Sequence, residues 1–242
     1  MVNAIYAEIM KQRKNKMLWI GTLAVAVLPF LLLMKSLFLD KWRDYMDWIM
    51  TAMMLNTLVL PIASGFVLTV IVQKEYQDMT TRNILAAPAR REHFVIAKFL
   101  MWFLWHMLTL SLTEIMMIIS IRVLFPTEFY AGRWRYILYL FTQNSMFCFI
   151  AMIPILWITL LQKTQFYPSM ICILGIAALQ MAGLQVSEEL LTFASICPWT
   201  AVSVSSMVET GTWYYWICAV SVLLCGVIGF ISAVVTFKRQ DQ

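Results

Sequence analysis

The chain has 242 residues, of which 62% are hydrophobic and 13% charged, against roughly 45–50% and about 25% in soluble domains. That balance excludes a water-soluble globular protein and places most residues in lipid or against other membrane helices. The net charge of +5 flanks apolar runs instead of marking a basic domain, so positive-inside topology accounts for it and no nucleic-acid partner is expected.

From the N-terminus, Val2, Ile5, Tyr6, Ile9 and Met10 recur at helical spacing, with Asn3, Glu8, Lys11 and Lys14 around the remainder. Two readings fit. One is an interfacial amphipathic helix whose cations meet anionic lipid or an acidic protein surface; the other is a plain basic flank that sets topology. The apolar run that follows is too long for a secretory signal, and Asp40-Lys41-Trp42-Arg43 takes the place of a small-residue cleavage site, so the run is expected to be retained.

A spanning helix needs about 20 mostly apolar residues. Six runs qualify, at about 17–39, 48–72, 94–121, 136–161, 166–185 and 213–237. Strand-type alternation is absent, and a helix satisfies its own backbone in lipid. The expectation is therefore an all-α polytopic membrane protein, a single transmembrane domain over residues 1–242. With the N-terminus inside, twelve Lys and Arg fall on the inner side and six on the outer, which places both termini in the cytoplasm.

Residues 40–47 read as a short outer turn with aromatic anchors. The second run contains Pro61. Residues 75–98 form a charged elbow on the inner side between the second and third runs. The third run carries His106 and Glu114, ionisable groups that are costly if they face lipid. His106 and Thr113 share a helix face, with Glu114 about 80° further round. A place on a substrate or proton pathway and a pairing between helices both fit these three.

Residues 122–135 read as an external turn. The fourth run contains Pro154, with Gln143 and Asn144 at its outer end, and residues 162–165 make a tight inner turn into the fifth. Residues 186–212 are too apolar for a solvated loop and too interrupted to span. Two short helices broken at Pro198, dipping into the outer leaflet, fit them, with Ser187-Glu188-Glu189 as a helix start. Cys148, Cys172, Cys218 and Cys225 read as small apolar residues, and Cys197 as the one plausible reactive thiol.

Motifs for several chemistries are missing. None of the eight glycines is followed by Lys, so there is no phosphate-binding loop. No His-Glu-x-x-His, Gly-x-Ser-x-Gly or metal-ligand spacing occurs, and the Glu-Glu-x-x-x-Arg pattern of an intramembrane protease fails at Phe193. The chain is not expected to be an enzyme by itself. A filter-like loop or charged ring for a channel is also absent. A scaffold subunit stays open as a non-transport reading.

The elbow resembles that of ABC exporter permeases of the ABC-2 type. In that family the loop after the second span reads Glu, Gly-Thr, a Leu-rich turn, Pro, then Arg, with Lys entering the next helix. Glu75, Thr80, Leu85, Pro88, Arg91 and Lys98 fall on this pattern, and Met79 stands where Gly is usual. The resemblance implies a coupling helix over about 80–87, ended where Pro88 disfavours helical geometry at Ala87. It implies that Glu75, Asp78, Thr80, Arg82, Leu85, Pro88, Arg90 and Arg91 meet a cytosolic ABC ATPase dimer, which holds the ATP and Mg; this chain needs no cofactor. A second permease chain, identical or paralogous, completes the pathway among membrane lipids. In size and layout the chain is similar to permeases for lantibiotic immunity and bacitracin resistance in the cell membrane of Gram-positive bacteria, which implies export of membrane-active peptides. Export of a lipid, drug or polysaccharide is the alternative.

Overall fold

The structure, a computed structural model, describes residues 10–11, 15–38, 44–77, 92–162 and 165–239. Every regular element among them is a helix: α1 (Lys16–Phe38), α2 (Tyr45–Gln77), α3 (Glu92–Leu124), α4 (Pro126–Tyr130), α5 (Trp134–Gln162), α6 (Tyr167–Gly183), a 3₁₀ turn (Glu188–Leu190), α7 (Leu191–Ile196), α8 (Pro198–Met207) and α9 (Trp213–Arg239). The amphipathic N-terminal segment, apart from Met10 and Lys11, and the coupling helix over 80–87 lie outside the described residues.

Five helices, α1, α2, α3, α5 and α9, are long and apolar enough to cross a bilayer. The fifth apolar run is shorter as a helix than as a sequence. At 17 residues, α6 is about 26 Å long, short of the ~30 Å hydrocarbon core. Its end is set by packing, because a Cβ on Gly183 would lie 2.6 Å from the Thr200 carbonyl oxygen of α8. Conversely, α2 and α3 run past the apolar runs at the elbow, since Lys74 to Gln77 and Glu92 to His93 continue their helices.

The bundle is built around α2 and α5, in which 61% of the apolar window is buried, against 33% in α1, α3 and α9. The peripheral helices therefore present one face to the core and the rest to lipid. The α5–α9 contact depends on small residues, which let membrane helices approach closely. A Cβ at Gly229 would stand 2.8 Å from the backbone nitrogen of Pro154.

Tryptophan ties the helices together. Trp48 donates to Ser36 Oγ at 3.1 Å, Trp105 to Thr22 Oγ1 at 2.8 Å, Trp157 to Thr236 Oγ1 at 2.9 Å and Trp199 to the Ala151 carbonyl at 3.1 Å. Each bond joins two different elements.

The segment after α6 is interrupted as its proline predicts. Cys197 is extended, with φ −73° and ψ 117°, and Pro198 sits in the first turn of α8, where its missing N–H leaves no bond unmade. The side chain of Ser187 makes no capping bond; a 3₁₀ turn follows it and α7 starts at Leu191. Most of α8, from Thr200 to Ser205, is buried, with Ser203 Oγ donating to the Gln180 carbonyl at 2.6 Å and Gln143 Nε2 to the Ser205 carbonyl at 3.0 Å. At the turn over 122–135, α4 adds a single helical turn before Gly132, whose φ of +76° reverses the chain.

Candidate functional site

The two helices that flank the elbow meet through charge. Glu75 lies in the last turn of α2, and Lys98 lies two turns into α3, in the apolar stretch from Phe94 to Leu100. Lysine in such a stretch requires a partner. Lys98 Nζ donates to Glu75 Oε1 at 2.6 Å, and Lys11 Nζ reaches the same oxygen at 2.7 Å. The side chains of Lys98 and Glu75 are only 1% and 4% exposed, while Lys11 is 30% exposed. One carboxylate thus fastens three parts of the chain: the N-terminal segment, α2 and α3.

Aromatic packing extends this knot to the last helix. Lys98 Nζ stands 5.4 Å from the Phe94 ring centroid, and Phe94 stacks on Phe237 of α9 with centroids 4.8 Å apart. Gln73, two residues before Glu75, donates to the Gln165 carbonyl at 2.6 Å, which ties α2 to the α5–α6 turn. The N-terminal segment, α2, α3, α9 and the α5–α6 turn are therefore linked at the base of the elbow.

The resemblance implies that Glu75 meets the ATPase; within this chain its carboxylate is buried between the ammonium groups of Lys98 and Lys11. Asp78, Thr80, Arg82, Leu85, Pro88, Arg90 and Arg91 lie outside the described residues.

His106, Thr113 and Glu114 line different surroundings. His106 is fully buried among α2, α3 and α5. Its Nε2 lies 3.0 Å from Ser145 Oγ and 3.1 Å from the Ser145 carbonyl, and its Nδ1 lies 3.5 Å from Ser64 Oγ. Those partners suit an imidazole that donates from Nε2 and accepts at Nδ1. Trp102 donates to the same serine, Ser64, at 3.0 Å, and Phe149 packs against the imidazole at 5.0 Å.

Thr113 is buried and its hydroxyl donates back to the Thr109 carbonyl, beside a small cavity that Asn56, Pro29 and Phe141 also line. Glu114 is half-buried and accepts a hydrogen bond from Thr142 of α5. Close by in sequence, Asn144 Nδ2 lies 3.4 Å from Thr57 Oγ1, while Asn144 Oδ1 and Gln143 Oε1 are buried without a partner among the described residues. A layer of amides and hydroxyls thus crosses α2, α5 and α8 in the half of the bundle away from the elbow.

The sequence pattern gives no place to Thr142, reads Lys11 as one of the N-terminal cations and Lys98 as a landmark of the elbow, and pairs neither lysine with Glu75. The lone cation inside an apolar run was the available signal for Lys98. Among the described residues no cluster of His, Cys, Asp or Glu is arranged to hold a metal. All five cysteines are free, Cys148 and Cys218 buried and the other three half-buried.

No curated protein matches the chain. A family model does, described as ABC-2 family transporter protein, over residues 4–179, a range that holds the first four apolar runs, most of the fifth and the whole elbow, and the chain belongs to that family.

Proposed function

We propose that this chain is the permease subunit of an ATP-driven exporter that removes membrane-active peptides of the lantibiotic or bacitracin type. Family membership and five membrane-crossing helices support the permease reading. ATP is hydrolysed in a separate cytosolic ATPase dimer, and two permease chains build one pathway. The complete layout has six spans, α6 being the fifth and shortest, with both ends and the elbow in the cytoplasm.

The observation that carries this reading is the knot of Glu75, Lys98 and Lys11. A loop pushed by a motor moves the membrane helices only if its two ends are fixed to them. The pair of Glu75 and Lys98 fixes both ends to each other, so displacement of the elbow is passed to α2 and α3 as one body instead of being absorbed by splaying. Lys11 adds the N-terminal segment to that body. Arg90 and Arg91 then supply the contact to the ATPase, and Glu75 acts through position.

Reconstitution of the permease with its ATPase tests the reading. Bacitracin or a lantibiotic should raise ATP hydrolysis, and charge reversal at Arg90 and Arg91 should abolish that rise while the chain still inserts. An ATPase rate indifferent to peptides but raised by a lipid or drug would transfer the assignment to that substrate class.

A further inference from the structure

A long groove runs along the lipid-facing side of the α5–α9 pair. Of its lining, the small residues Cys225, Gly229 and Ser232 are the less exposed and form the floor, while the exposed Trp157, Trp216 and Leu224 stand at the walls; its volume is about 740 Å³. Along α9 it extends from Trp213 to Ser232, a distance of about 28 Å at 1.5 Å per residue. That volume is the space open to the centre of a water molecule; over the length it gives a width of about 6 Å for that centre and about 9 Å between the walls, narrower than a helix about 10–12 Å across.

An extended peptide would fit that width, but its backbone N–H and C=O groups need partners inside lipid. The groove offers few. The Trp157 indole already donates to Thr236, the Trp199 indole to the Ala151 carbonyl, and the Ser221 hydroxyl to the Ile196 carbonyl. What remains is a largely apolar slot open to the bilayer, suited to an apolar, flexible occupant.

At the α9 start of the slot, Trp213 and Trp216 are 76% and 58% exposed. Indoles prefer the headgroup level, where the ring is apolar and the N–H is wet. We infer that this end of the groove binds one acyl chain of a bilayer phospholipid, its headgroup beside Trp213 and its methylenes running down to Cys225. Half of the ~30 Å core is about 15 Å, which matches the stretch from Trp213 to Cys225, about 18 Å of helix.

The test is photolabelling of the purified chain in nanodiscs, with a phospholipid that carries a diazirine in its acyl chain. Label on Trp216, Val220 and Leu224 should exceed, several-fold, label on Leu223, Val227 and Ile231, which face lipid on another side of α9. Cys225→Phe, which fills the floor, should remove the excess and leave the labelling of the second side intact. Equal labelling of the two sides in the unaltered chain overturns the inference, as does an excess that survives Cys225→Phe. Labelling of the groove below that of the second side also overturns it, and a disulfide-linked dimer of Val220→Cys would then identify a second copy as the occupant. No ATPase takes part, so the outcome is independent of the transport reading.

Discussion

Glu75 and His106 are both buried, and each holds helices together by a different force. Breaking a buried ion pair by removing one member costs about 3–5 kcal/mol. Glu75→Gln should lower unfolding stability in detergent by about that much, whereas Lys98→Met should cost less, because Lys11 keeps its 2.7 Å contact with Glu75. Chemical denaturation of the two variants side by side checks the order, and equal losses would contradict the shared-carboxylate geometry. His106→Ala leaves Ser145 and Ser64 to find other partners, and should cost about 1–3 kcal/mol without changing peptide-stimulated ATP hydrolysis per folded molecule. A loss of stimulation at normal stability would instead put the imidazole on the pathway. Glu75 was legible in the sequence as a landmark of the elbow, but its pairing was not. Its burial depends on Lys98, 23 residues later, and Lys11, 64 residues earlier, and no local pattern encodes such distant pairing.

Helix positions were the most legible part, since a run of about 20 apolar residues has few other fates in a bilayer. Helix ends were less so. α6 stops at Gly183 because α8 lies against it, and α2 continues past its apolar run because Glu75 finds charge inside the bundle; both causes are tertiary. The break at Pro198 was legible, since it follows from local backbone chemistry. The hydrogen-bonding tryptophans were not: composition reads ten of them as lipid contact or adaptable surface, and only the fold shows several acting as donors between helices. At this scale, Gly229→Leu should wedge α9 away from Pro154, an overpacking cost of about 1–3 kcal/mol, and reduce the monodisperse fraction on size-exclusion chromatography. Gly175→Leu, on the lipid side of α6 with nothing within 4 Å of a Cβ, should elute as the unaltered chain does.

Seen whole, the molecule has one end where the N-terminal segment, α2, α3, α9 and the α5–α6 turn are linked at the base of a charged elbow, and another where amide oxygens with no partner among the described residues form a polar layer. The first end suits reception of force and the second a change in what the pathway can accept. Both depend on the elbow facing the cytoplasm and an ATPase. Labelling a single cysteine, Arg91→Cys in a chain lacking the five native cysteines, with a membrane-impermeant maleimide tests this most directly. The account predicts no reaction in intact cells, reaction in inverted vesicles, and protection there once the ATPase is bound. Reaction from outside intact cells, or no protection by the ATPase, would contradict it.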